Sequence, residues 1–239
     1  MVRPINNFFV NGVITSKKEA HKTARKIEDL TGLKVDVFYN KSTPLTTIIS
    51  IAGKVLYGVL GLGYCVATSS QKKKKDEHEK DDRALIAAGS ASALGLGVKE
   101  WHDVQVDKAK HGKVLAKRVK ACLEAYPNEA VRLILHSQGA HVGLNALKHL
   151  KAYKERIQVI NLGGMVEIPK YMAFQVFNFA NSKDPVPHWI ARLTSKRREW
   201  VDLGDKHTKT WLAHEMKEYL RHQVVQDLLK TSPSAASAA

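Results

Sequence analysis

The chain is poor in cysteine, and its histidines lack the spacing of a recognisable metal site. It has two cysteines in 239 residues: Cys65 lies in an apolar run, Cys122 in a segment of helical periodicity, and neither has a histidine close by in sequence. There is no paired Cys-x-x-Cys, and His214-Glu215-x-x-Glu218 lacks the second histidine of the zinc-protease pattern, so neither a metal site nor a cofactor is expected. Such a cysteine pair fits two small buried hydrophobes better than a disulfide, which favours a reducing, cytosolic-type compartment. Aromatic residues make up only 7%, and neither a zinc finger nor an RNA-recognition signature occurs, leaving nucleic acid as the weaker choice of partner. Gly61-x-Gly63 and Gly95-x-Gly97 sit inside apolar runs with no Gly-Lys-Ser/Thr behind them and are not read as nucleotide loops. Met1 to Asn7 is polar and the apolar run after it is shorter than a signal core, so no secretory leader is expected.

Acidic residues are also in deficit, 23 against 38 lysines and arginines, for a formal charge of +15. The excess is spread over Lys17, Lys18 and Arg25, the Lys72 to Lys75 run, Lys108 to Lys120, and Lys196 to Arg198. A basic surface attracts anionic lipid and nucleic acid alike, although lysine runs are most often solvated faces. Leu45 to Thr68 is 24 residues long with Lys54 as its only charge. As a helix it would extend about 36 Å, enough to cross the hydrocarbon of a bilayer. A second apolar run, Ala84 to Val98, carries Gly89, Ala93 and Gly97 on one helical face, where a neighbouring helix could approach closely. Residues 44–98 therefore read as a hydrophobic helical hairpin that contacts an anionic membrane, or alternatively as a pair of glycine-rich core helices. The protein is expected to be membrane-associated or cytoplasmic. Residues 1–230 are long enough for one α/β domain around that insert, and the low-complexity end, 231–239, is expected to be disordered.

The densest signal lies in Leu133-Ile134-Leu135-His136-Ser137-Gln138-Gly139-Ala140. Val131 to Leu135 predicts a fully buried strand and Ala140 to Leu150 a helix, which puts Ser137 on a sharp strand-to-helix turn with a glycine two places on. A serine hydroxyl becomes a useful nucleophile when its backbone holds it clear of a sheet, near a histidine and beside free amide N–H groups. The elbow pattern is Gly-x-Ser-x-Gly, and here Leu135 stands at the first glycine position. By itself, Ser-x-Gly is more often an ordinary turn, so the surroundings must decide.

Upstream, Phe8 to Val10 reads as a short strand followed by Asn11-Gly12-Val13, and Ser16-Lys17-Lys18-Glu19 as the capping box of a helix running to about Leu30. Downstream, Gln158 to Leu162 and Ala173 to Ala180 read as strands, the second ending in Asn181-Ser182-Lys183-Asp184-Pro185-Val186-Pro187. Asp184, just past a buried strand and followed by two prolines, suits a catalytic acid, and equally an Asp-Pro turn. Glu199 to Leu203 suggests a last strand, with His207 in the loop behind it and His214 at the head of a basic and apolar helix. The chain thus offers Ser, Asp and His in the order of the α/β-hydrolase triad.

On these residues the chain resembles the α/β-hydrolase superfamily. Asn181 to Pro187 resembles the acid-bearing segment of class 3 lipases. Phe9-Val10-Asn11-Gly12, Phe38-Tyr39-Asn40 and His136-Ser137-Gln138-Gly139 together are similar to an uncharacterised serine-hydrolase-like family of obligate intracellular bacteria, over roughly residues 6 to 40 and 104 to 225. The resemblance implies a mostly parallel sheet flanked by helices, with Ser137 as nucleophile, Asp184 as acid and the amides of Val13 and Gln138 as the oxyanion hole. It leaves two histidines open: His214, whose spacing to Tyr219 resembles the end of several such hydrolases, and His207. The activity implied is that of a lipase-like serine esterase acting on a carboxylic ester, with a lipid ester at a membrane surface as one form. The alternative is a catalytically silent hydrolase fold kept as a membrane-associated interaction module. Fold alone does not name the substrate.

Overall fold

The computed structural model describes residues 7–12, 15–40, 109–187, 200–204 and 212–233. All of them belong to one unit, formed by Met1–Lys41 and Lys108–Ala239. The insert expected at 44–98, together with Val13 and His207, lies outside the described residues. Six strands pair in parallel: β1 (Asn7–Val10), β2 (Val35–Phe38), β3 (Val131–His136), β4 (Ile157–Leu162), β5 (Gln175–Ala180) and β6 (Val201–Asp202). Their order across the sheet is β2-β1-β3-β4-β5-β6. The chain is therefore α/β, with helices flanking a sheet that is parallel throughout its described strands. Among the described residues no helix is long and apolar enough to cross a membrane.

Parallel strands covered on both faces read as continuous apolar runs, and β3 and β4 are buried along their whole lengths. Alternation assigns their side chains to two layers. Phe8, Val10, Leu133 and Leu135 join Leu115 and Val119 of α2 (residues 109–125) and Ala146 and Leu147 of α3 (Gly139–His149). On the other face, Phe9, Ile134 and Ile160 meet Ala20 and Ile27 of α1 (Lys17–Thr31), Tyr219 of α4 (Met216–Tyr219) and Val225 and Leu229 of α5 (Gln223–Lys230). α1 begins at the capping box its sequence spells: Glu19 N–H donates to the Ser16 hydroxyl at 3.2 Å and Ser16 N–H to the Glu19 carboxylate at 2.9 Å.

Three sequence expectations need correction. The single helix expected from His214 is broken, with Leu212–His214 forming a 3-10 turn, then α4, then a turn through Leu220 to His222, then α5. The apolar period runs straight across that turn, so no breaker residue marks it. The turn lets Tyr219 face the sheet edge while α5 packs along the strands. Strand β5 begins at Gln175 rather than Ala173 because the Phe174 N–H is held by the carbonyls of Lys154 and Ile157. Thr231 belongs to the fold rather than to a loose tail, since its carbonyl accepts from the buried Arg132 guanidinium.

Arg132 is fully buried in the central strand. Its Nε donates to Gln158 Oε1, and its terminal nitrogens to the carbonyls of Leu229 at 2.8 Å, Leu228 at 3.2 Å and Thr231. These are the orphan carbonyls at the end of α5, where the helix dipole favours a cation. Burial pushes the guanidinium down to about 10, still charged at neutral pH. Asn7, Arg132, Gln158 and Gln175 are register neighbours across four strands and form a polar row near the amino end of the sheet.

Candidate active site at the carboxyl edge of the sheet

β1 lies between β2 and β3, so the chain leaves it first to one side and returns on the other. The helix after β1 covers one face and the helix after β3 covers the opposite face. The carboxyl ends of β1 and β3 therefore form the switch point of the sheet, the place where open parallel sheets bind ligands.

Ser137 follows β3 at that point. Its φ of 53° is the single left-handed value among described residues other than glycine. Such a conformation is costly for a residue with a Cβ and persists only where its surroundings fix it. Here the Ser137 carbonyl accepts from the N–H groups of Ala140 at 3.1 Å and Met165 at 2.9 Å. Close packing does the rest. A Cβ on Gly139 would lie 2.4 Å from the Val10 carbonyl oxygen, and one on Gly12 would lie 2.6 Å from Ser137 Cβ. The leucine at the first elbow position is accommodated by the helix behind it: a Cβ on Gly143 would lie 2.4 Å from Leu135 Cδ1. The missing glycine of the pattern is thus offset by another on α3.

The structure brings Ser137, His214 and Asp184 together. His214 Nε2 is 2.9 Å from Ser137 Oγ, and His214 Nδ1 is 2.7 Å from Asp184 Oδ2. Asp184 has no exposed surface, whereas the His214 side chain is 21% exposed. A carboxylate can only accept, so Nδ1 carries the proton and Nε2 presents a lone pair to the serine O–H. This arrangement can draw the proton from Ser137 as its oxygen attacks an electrophile, with Asp184 stabilising the imidazolium that results. Asp184 is held in turn. Its Oδ1 accepts from the Val186 N–H at 2.9 Å and its Oδ2 from the Tyr219 hydroxyl at 2.5 Å. Tyr219 accepts from the Asn181 N–H at 3.2 Å, and burial beside Asp184 raises its pKa, keeping it a donor.

His136 is a member of the site that sequence reasoning quoted without assigning a role. Its ring stacks on His214 with centroids 4.9 Å apart and 28° between planes, and its Nε2–H donates to the His214 carbonyl at 2.8 Å. Burial first, and His214 second, push its pKa down to about 3, so it stays neutral beside any charge that forms on His214. The alternation along β3 is the signal that could have found it, because His136 shares a face with Ile134 and Arg132. Tyr219 was legible only as a spacing from His214.

Gln138 is the residue after Ser137 and immediately precedes α3, which has no side-chain cap. Among the described residues, the Gln138 N–H has no acceptor. It lies at the positive end of the helix dipole, beside the serine. Val13, the other expected amide donor, and His207 fall outside the described residues. No family model, curated protein or solved structure matches the chain.

Proposed function

We propose that the chain is a serine hydrolase of α/β-hydrolase type that cleaves a carboxylic ester. The observation that carries this proposal is the continuous hydrogen-bonded line Ser137 Oγ, His214, Asp184 Oδ2, with its serine held on a left-handed turn between a buried strand and a helix. In the proposed reaction, Ser137 Oγ attacks the acyl carbon while its proton passes to His214 Nε2. The carbonyl oxygen becomes an oxyanion facing the Gln138 N–H, with Val13 as the second proposed donor. Collapse of the intermediate breaks the ester C–O bond, and His214 returns the proton to the leaving alcohol. Water then attacks the acyl-serine with the same histidine as base, releasing the acid and restoring Ser137. Asp184 keeps the histidine tautomer, and Tyr219 and Val186 keep Asp184. The excess of 38 basic over 23 acidic residues and the apolar sequence of 44–98 support a lipid ester at an anionic membrane surface as the substrate setting.

A fluorophosphonate probe tests the assignment without knowledge of the natural substrate, because it reacts with activated serines. The expected result is stoichiometric labelling of the folded protein, mapped to Ser137 by peptide mass spectrometry and absent in Ser137→Ala. A folded protein that stays unlabelled would overturn the hydrolase assignment.

A further inference from the structure

The carboxyl ends of β1, β2 and β3 are joined by side-chain amides that the proposed proton relay does not use. Asn11 and Asn40, which follow β1 and β2, are both buried. The Asn40 N–H donates to Asn11 Oδ1 at 2.7 Å, and Asn11 Nδ2 donates to the Gly12 carbonyl at 2.7 Å. The Asn40 side chain reaches further, its Nδ2 donating to Gln138 Oε1 at 3.2 Å. β2 and β3 are not neighbours, since β1 lies between them. Their ends are therefore roughly 10 Å apart at the usual strand spacing. The Asn40 to Gln138 bond spans that gap, over the Asn11-Gly12 turn and beside Ser137. On the other side, Asn40 Oδ1 lies 3.3 Å from His111 Nδ1 of α2 and accepts from it in the tautomer that carries its proton on Nδ1.

We propose that Asn40 is a positioning residue for oxyanion stabilisation. It locks the turn after β1 to the turn after β3, holding the Gln138 N–H and the Gly12 segment at one fixed separation around the reacting carbonyl. This proposal rests on the hydrolase assignment and deepens it by giving the Phe38-Tyr39-Asn40 segment a task. Buried amide bonds of this kind set geometry because their members have no water to turn to. Preorganised donors act only if they stand where the charge develops, so losing the lock should slow the chemical step and leave ground-state binding nearly unchanged.

The test uses the full chain with p-nitrophenyl acetate, an aryl boronic acid as transition-state analogue, and the fluorophosphonate probe. Asn40→Asp keeps the shape and the acceptor toward His111 but replaces the donor toward Gln138 with an oxygen, and Gln138→Met removes the partner acceptor while leaving the backbone N–H. Each should lower kcat and boronate affinity together by about 10- to 100-fold, less than the loss of a whole oxyanion donor, with KM within about twofold. The double variant should be no worse than the poorer single one, as expected for two ends of one bond. If Asn40→Asp fails to fold, Gln138→Met carries the same expectation alone. Unchanged kcat and boronate affinity in a folded variant, or a rise in KM that accounts for the whole loss, would overturn the role of Asn40 while Ser137 labelling left the hydrolase assignment standing. A wild-type protein that the probe does not label at Ser137 removes both.

Discussion

The two ends of β3 carry buried polar residues on the same face of the same strand, and they are built on opposite principles. At the amino end, Arg132 donates to a glutamine side chain and to three carbonyls at the end of α5. At the carboxyl end, His136 supports His214, Ser137 shares its proton with that imidazole, and the neighbouring Gln138 N–H has no acceptor among the described residues. At the amino end, the Arg132 guanidinium uses its donors to hold the fold. The carboxyl end keeps some hydrogen-bonding capacity in reserve, and spare capacity beside a nucleophile is what chemistry draws on.

The sharpest way to break this contrast is to exchange the consequences of substitution at the two ends. Ser137→Ala should reduce hydrolysis of a p-nitrophenyl ester by at least about a thousandfold, with an unchanged far-ultraviolet circular dichroism spectrum and urea midpoint. Equal activity in mutant and wild type would dismiss Ser137 as the nucleophile. His214→Ala should follow closely, since a general base is worth about two to four orders of magnitude. Arg132→Met should do the reverse. It leaves several buried acceptors unsatisfied at about 1–3 kcal/mol each, so urea unfolding should show a loss of about 3 kcal/mol or more, while the folded fraction labels with fluorophosphonate at the wild-type rate. Arg132→Lys should not rescue it, because an ammonium does not reproduce the planar fork. A stable Arg132→Met protein with slowed labelling would mean that the amino-end network serves the site directly.

Smaller effects refine the boundary. Tyr219→Phe removes one donor from Asp184 and the acceptor of the Asn181 N–H, so a several-fold fall in kcat and about 1 kcal/mol in stability are expected, read by ester turnover and urea titration. His136 gives the most delicate case. Its pKa falls from 6.5 in an open chain to about 3 when folded. Between those values the unfolded state binds more protons, so stability is fully present above pH 6.5 and declines as the pH drops toward 3. His136→Gln should flatten that part of the pH–stability curve, and an unaltered slope would show that His136 is not the group responsible.

Local grammar made the frame legible. The apolar runs of β3 and β4, the Ser16 to Glu19 capping box, and the serine with a glycine two places on are all short-range features, and each lies where its pattern put it. What escaped depends on register. Asn7, Arg132, Gln158 and Gln175 are a row only once four strands are aligned, and Asn40 meets Gln138 across the end of β1, the strand between theirs. Leu135 looked like a departure from the elbow because its compensating residue, Gly143, lies eight places away on the packed helix. The break between α4 and α5 was hidden by an apolar period that continues through it.

The grip of Arg132 on α5 also has a meaning in time. Chains are made from the amino end at about 5–20 residues per second, and Arg132 precedes the carbonyls that hold it by 96 to 99 residues. A nascent chain holding β1, β2 and β3 but not yet α5 lacks the three carbonyls that accept from the guanidinium, leaving the side chains of Asn7 and then Gln158 as its protein partners. The hydrogen bonding of that buried charge is therefore complete only once α5 has been made. Ser137 is synthesised 77 residues ahead of the histidine that contacts it, so neither the buried charge nor the serine has its full set of partners until His214 and α5 have been made.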